Sequence, residues 1–388
     1  MDTLLRYVAR SLTMLWLTVA ALGIVGVGAT QVGATSYQVT ALCTLGGDLV
    51  VGYGLNATGN ATGIATLSNG QERAFVYSNG VMIGLDTFGG DTSRGTAIND
   101  AGVVVGHAKM ANNYYHAFQY SGGVMQDLGT LGGLWSFAFG ISNAGQVAGY
   151  STTDNTLNEG FVVSNGTMQP IGALGAYGSL GHDINILGQV VGGSIPANTC
   201  CDTHAFLYSG GVMQDLGTLG GSRSHAWALN DAGQVAGFAF LPSGRFHAFL
   251  YSSGPMQDLG TLGGMYSQGR GINGLGHVVG ISQTSNEDVY HAFLYANGTM
   301  LDLNDLIPVG SGVVLTDARG INDAGQIIAN GCYQAVPCPF NLSDFHAGNR
   351  AFLLTPVTAQ VPEPGAIHLL AVGLAGLAGV AWRVRCRQ

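Results

Sequence analysis

The sequence predicts an all-β chain: a seven-bladed β-propeller of four-stranded repeats, each about 43 residues long, closed by an N-terminal strand. Three observations carry that expectation. One element, Ile-Asn-Asp-x-Gly-Gln-Val-x-Gly, recurs from Leu55, Ile98, Ile141, Ile184, Leu229, Ile272 and Ile321, at intervals of 43, 43, 43, 45, 43 and 49 residues. A second, His-Ala-Phe-Leu-Tyr-Ser-Gly-Gly-Val-Met-Gln-Asp-Leu-Gly-Thr-Leu-Gly-Gly, sets its aromatic at Phe75, Phe118, Phe161, Phe206, Phe249, Phe293 and Phe352. Finally, 63 of 388 residues are Gly and only 9% are charged. That composition suits short strands and tight turns, and excludes both a charged disordered chain and collagen, which needs a three-residue Gly period.

In chain order, Arg6 and Arg10, the apolar stretch 11–28, and the exits Val27-Gly28-Ala29 and Val32-Gly33-Ala34 predict a signal peptide over residues 1–34. The repeats fill 35–356. Within one copy, Thr96-Ala97-Ile98 ends a strand, Asn99-Asp100-Ala101-Gly102 supplies a turn, and Val103-Val104-Val105 opens the next strand. Residues 116–121 and 124–131 form a hairpin about Gly122-Gly123. Four short strands in this span match a propeller blade. The seventh Ala-Phe strand, 351–355, has no strand after it, whereas 39–47 precedes the first Ile-Asn turn and ends like a fourth strand. The N-terminal segment is therefore expected to complete the last blade and hide the sheet edges. An open solenoid or two-sheet stack is the alternative, and needs no such complementarity.

The residue before Ala-Phe is His in four copies, and in each an Asp follows eleven positions later: His116 and Asp127, His204 and Asp215, His247 and Asp258, His291 and Asp302. Copies with Arg73 or Glu159 there have Gly84 or Pro170 at the later position, and Arg350 would face Ala41 of the closing strand. Diagonal neighbours on one face of a hairpin lie within hydrogen-bond reach, so these pairs are read as structural clips rather than catalytic or metal-binding histidines.

Residues 357–364 form a linker holding Val361, Pro362, Glu363 and Pro364; an apolar helix and basic tail, with Arg383, Arg385 and Arg387, follow over 365–388. This tail resembles the PEP-CTERM sorting signal. The resemblance implies handling by an exosortase, transient anchoring in the inner membrane, removal near Pro362-Glu363-Pro364, and delivery to the surface of a Gram-negative bacterium. The second repeated element resembles the HAF family of extracellular repeats over most of 37–356, most closely from His116, His204 and His247.

Function is written less plainly. The 13 Lys and Arg against 22 Asp and Glu oppose binding to nucleic acid. Without its two ends the body has 8 basic and 21 acidic groups, a net of −13. There is no Gly-x-Ser-x-Gly elbow, His-Glu-x-x-His or P-loop, and only four Glu for carboxylate chemistry. The Asn-Asp-x-Gly turn lacks the ligand alternation of a calcium loop, and no His/Cys spacing suits zinc, so no metal or cofactor is expected. Of six cysteines, Cys332 and Cys338 are the candidate disulfide; the partners of Cys43, Cys200 and Cys201 stay open, and Cys386 lies in the tail. Strand parity collects the varied loops, and with them Tyr114, Tyr115, Trp135, Phe137, Tyr177, Arg223, His225, Phe246 and Tyr266, on one candidate binding face. The expected function is a non-catalytic exported surface or matrix protein that binds exopolysaccharide, as in a biofilm, or another surface protein. The alternatives are a secreted propeller enzyme acting on polysaccharide, and a purely structural surface protein with no ligand.

Overall fold

The computed structural model describes residues 36–154, 157–197, 199, 202–286, 288–334, 340–341, 346–347 and 350–357. The expected signal peptide, the Val361-Pro362-Glu363-Pro364 motif, the tail helix, and Cys200, Cys201, Cys338 and Cys386 lie outside the described residues. Among the described residues, no helix is long and apolar enough to cross a membrane.

Each copy of the repeat becomes a short antiparallel meander. In the third copy the strands are Gly132–Ile141, Val147–Thr153, Asn158–Ser164 and Thr167–Pro170, paired in sequence order. The fourth, fifth and sixth copies repeat this four-stranded order. The first two copies are merged into one eight-stranded sheet by a single parallel bridge between Glu72 and Thr92. In the four-stranded sheet of the seventh copy the order is Ser36–Ala41, Arg350–Val357, Ile327–Tyr333, Val313–Ile321, so the N-terminal strand lies beside the last strand of the repeat region; Phe340–Asn341 and His346–Ala347 form a separate two-stranded pair. The Leu42 amide donates to the Ala351 carbonyl at 2.9 Å.

Two strand boundaries differ from expectation, for one reason. The fourth strand of a copy stops at Asp127 rather than running to 131, and Gly132 already opens the next sheet. Thr130 turns the chain here: its hydroxyl donates to the Gly133 carbonyl at 2.9 Å and accepts from the Gly132 amide at 3.3 Å. The Thr-Leu-Gly-Gly signature therefore begins a sheet instead of ending one. At the N-terminus the same rule splits the expected strand over 39–47 into Ser36–Ala41 and the start of Gly46–Leu55.

Local sequence explains the hairpins. Gly122 and Gly123 both have positive φ, 58° and 87°, the geometry that matches the twist of the flanking strands. Asn79, Asn165 and Asn297 take the first of these positions in other copies. Close approach explains the glycine of Val-x-Gly: a Cβ on Gly237 would lie 2.0 Å from the His225 carbonyl oxygen.

The core sits between neighbouring sheets. All seven repeat phenylalanines are 1% exposed or less, and each packs on residues of the preceding copy. Phe249 lies with Val191 and Ala205, Phe293 with Ala236 and Ala248, and Phe352 with Val279 and Ala292. Phe75, in the first copy, packs with Ile328 and Ala351 of the seventh. Burying each ring stabilises by about 1.5–3 kcal/mol.

The asparagine of the Ile-Asn turn does more than turn the chain. Its Oδ1 accepts from amides of its own turn, as Asn230 does from Gln234 at 2.9 Å. Its Nδ2 donates to a main-chain carbonyl of the next copy: Asn56 to Asn99, Asn99 to Ser142, Asn185 to Asn230, Asn230 to Asn273 and Asn273 to Asn322, at 2.9–3.2 Å. Asn322 donates to the Asn56 carbonyl at 3.0 Å, linking the seventh copy to the first. The following Asp adds a second tie, as Asp231 accepts from the Ile186 amide at 3.0 Å. A buried serine makes a third: Ser136 Oγ accepts from the Ala117 amide at 2.8 Å and donates to the Gly129 carbonyl at 2.6 Å.

Candidate functional site

Two residues before each Ile-Asn element stand Tyr53, Thr96, Phe139, His182, Trp227, Arg270 and Arg319. They lie in the first strands of the seven copies, and all seven line one cavity of about 220 Å³, together with Arg94 and His107. Below it, the turns from Asn56 to Asn322 surround a second space at the Asn-Asp end. The cavity has two unlike walls.

One wall is aromatic. Phe139 lies 4.9 Å from His182, and His182 lies 4.4 Å from Trp227 and 4.7 Å from His225, ring centre to ring centre. The contacts continue outward on both sides. Phe139 stacks on Tyr150, which meets Phe137, and Phe137 meets His107 and Tyr115. On the other side His225 stacks on Phe238, which meets Phe246, and Phe246 meets Tyr266. Burial holds these histidines neutral: it pushes His225 down to about 4 and His182 well below its usual value, helped at His182 by His225. Burial, with the nearby Arg94 charge, pushes His107 down to about 3. The Nε2 atoms of His182 and His225 and the Nε1 of Trp227 have no hydrogen-bond partner among the described residues.

The other wall is charged. Asp317, fully buried, is shared by Arg319 and by Arg270, whose Nε lies 3.3 Å from Oδ1. Arg94 pairs with Glu72 at 3.0 Å, and Arg319 sits over the Tyr53 ring at 5.3 Å. Burial, together with repulsion from Arg319, lowers Arg270 to about 10, against the pull of Asp317. Asp183, beside the cavity, is raised to about 7 by burial although it accepts from the Leu229 and Ile184 amides.

The nine residues expected on one loop face are thus divided. Trp135 (46% exposed) and Tyr177 (54%) do present to solvent, and Tyr114 stands 6.4 Å from Trp135. Arg223 is exposed but pairs with Asp202 at 2.8 Å. Tyr115, Phe137, His225, Phe246 and Tyr266 belong to strands, not loops, as does the exposed Trp135, because the first and third strands start earlier than their sequence pattern suggests. The first five form one group in the aromatic band, and His225 is only 8% exposed.

The His-Asp pairs are brought together. Nδ1 to carboxylate distances are 2.9 Å for His116 and Asp127, 2.8 Å for His204 and Asp215, 2.9 Å for His247 and Asp258, and 2.5 Å for His291 and Asp302. Where Arg replaces the His, its guanidinium reaches a carbonyl of the following Gly-Gly-Asp: Arg73 to Asp91, and Arg350 to Asp48. These clips are partly exposed while the asparagine ties are buried, which orders their expected cost. Asn230→Ala should lose about 1–3 kcal/mol, because it strands buried amides and a carbonyl. His247→Ala should lose less than about 1 kcal/mol, since water can replace an exposed partner. Urea unfolding of the two variants checks that order.

Cys332 is disulfide-bonded. Among the described residues no group of three or more His, Cys, Asp or Glu is placed to hold a metal ion.

Strand order and the shared cavity define an all-β protein of propeller-like architecture. Residues 360–386 match the model of the PEP-CTERM protein-sorting motif. That motif indicates export and membrane-associated sorting in Gram-negative bacteria, and it is a substrate signal for exosortase processing. No curated protein matches the chain. Among solved structures, the chain is similar to the β-propeller domain of the Trilobed protease from Pyrococcus furiosus, which has an open velcro topology: 6% identity, TM-score 0.51, covering 80% of this chain and 98% of that one. It is also similar to a prolyl endopeptidase, at 12% identity and TM-score 0.50, covering 84% of this chain and 51% of the other. TolB from Acinetobacter baumannii is matched at 10% identity and TM-score 0.45, over 62% of each chain. At these identities the likeness concerns the fold alone.

Proposed function

We propose that this chain is a non-catalytic, exported surface protein whose repeats form a closed seven-bladed propeller that binds a saccharide or another surface molecule. Seven repeat copies contributing one position to one cavity support the blade count. The Ser36–Ala41 strand beside Arg350–Val357, and the Asn322 tie to Asn56, support closure. The sorting motif supports export to the surface. Support for binding comes from the ring band between Tyr115 and Tyr266, in which Phe137, Phe139, Tyr150, Phe238 and Phe246 stay half-buried rather than closed off; such faces suit sugar rings. The resemblance of the second repeated element to HAF repeats agrees with an extracellular setting. In this reading the His-Asp pairs are structural clips, and exosortase is the processing partner.

A glycan array probed with the purified chain tests the proposal. Binding to at least one polysaccharide is expected, weakened roughly tenfold in Trp135→Ala, as for an exposed aromatic anchor. No binding across the array would leave the purely structural role. Shortened products after incubation with exopolysaccharide would instead make the chain an enzyme.

A further inference from the structure

We propose that the cavity between Arg270, Arg319 and Trp227 is a binding site for a small carboxylic acid carried on a six-membered ring. The carboxylate would meet the two guanidinium groups, and the ring would lie against Trp227, Phe139 and His182. This deepens the binding reading above by naming the chemistry of one ligand site.

Charge gives the first reason. Below pH 7, where Asp183 beside the cavity is protonated, the cavity's ionised groups are three arginines, Arg94, Arg270 and Arg319, against two carboxylates, Glu72 and Asp317. The neighbouring histidines are held neutral and add nothing. One positive charge is therefore in excess in a chain whose formal net charge is −9. Arg270, with a side chain only 6% exposed, and Arg319 share the one buried carboxylate of Asp317, and a monoanion beside them would offset the cost of burying that excess charge. A planar guanidinium also suits a carboxylate better than it suits a hydroxyl, because both oxygens can accept at once.

Shape gives the second. The wall facing the arginines is made of rings, with Trp227 and Phe139 on either side of His182. A volume of about 220 Å³ holds one ring with its substituents but not a chain of them; an engineered cavity of about 150 Å³ accepts benzene. Divalent anions fit less well, since they would overcompensate a single excess charge.

Two kinds of molecule share this chemistry, a sugar acid and an aromatic acid, and they differ in hydroxyl groups. The unpartnered nitrogens of His182 and Trp227 in the ring wall favour the hydroxylated one. Titration of the full-length protein with sodium D-glucuronate, sodium benzoate and D-glucose, followed by tryptophan fluorescence and calorimetry, separates them. Saturable binding of glucuronate, of benzoate or of both is expected, with glucose at least roughly tenfold weaker than the better acid. Arg319→Gln should weaken that acid roughly tenfold, and Arg270→Gln at least as much. Trp227→Phe should remove most of the fluorescence change and, by removing the indole nitrogen, weaken the hydroxylated acid more than benzoate. The proposal is overturned if neither acid binds, if glucose binds as well as the better acid, or if Arg319→Gln with unchanged melting binds like the wild type. Should the acids fail while Trp135-dependent glycan binding persists, the cavity site falls and the wider binding function stands.

Discussion

Deleting Ser36–Ala41 is expected to lower the melting temperature by more than about 10 °C and to make the protein aggregate. The strand supplies the outer neighbour of Arg350–Val357, so its loss uncovers a full edge of the last sheet. It also carries Tyr37, only 2% exposed, into the cluster of Leu315, Ile327, Phe352 and Leu354. The Tyr37 amide donates to the Leu306 carbonyl at 2.8 Å, so the strand is tied to the sixth-to-seventh connection as well. Tyr37→Ala alone should cost about 3–5 kcal/mol, the range for emptying a buried aromatic site. Thermal unfolding of both variants is the check. If the deletion melts with the full chain, the direct contacts between the first and seventh copies, those of Asn322, Asn330, Arg350 and Phe75, suffice to hold them, and the N-terminal strand is not the closure.

How much of this could be read from residues follows from what repeats. Positions that pack between sheets, the Ala-Phe pair above all, recur in type because the same neighbour recurs. The Ile-Asn-Asp-x-Gly turn was equally visible, but its asparagine reads as a turn former, and only geometry reveals the Nδ2 donated to the next copy. The His-Asp pairs were legible because two positions change together, and the diagonal of one hairpin accounts for both. The cavity was not legible. Its seven wall residues share an offset and no chemistry: Tyr, Thr, Phe, His, Trp, Arg and Arg. A position facing an open centre has no recurring packing partner to fix its type, so a search for what recurs passes over it. A constant offset with changing side chains, next to a uniform motif, was the available signal.

Stability should fall steeply as pH drops from 6.5 to about 4, well before most carboxylates are protonated. His107, His182 and His225 are held neutral by burial, His107 to about 3 and His225 to about 4. In the unfolded chain each takes a proton near pH 6.5, so below that value the unfolded state binds more protons and is favoured. Their contribution is therefore complete above 6.5 and is lost as pH falls toward the folded values. Asp183 works in the opposite sense. Its folded value of about 7 lies above the 3.8 of the free group, so what it contributes is present below 3.8 and is lost as pH rises to 7. Between 4 and 6.5 three histidines oppose one aspartate, and the histidines prevail. Each uncompensated proton changes stability by about 1.4 kcal/mol per pH unit, which makes a loss of several kcal/mol across the window. Urea unfolding at pH 7.5, 5.5 and 4.5 measures it. His225→Gln, which removes one of the three protons while keeping a polar side chain of similar reach, should flatten the slope, and Asp183→Asn should steepen it. A slope that neither substitution changes would mean that the ring wall is wet enough to accept protons in the folded state, and that its histidines are charged partners of the cavity rather than neutral packing.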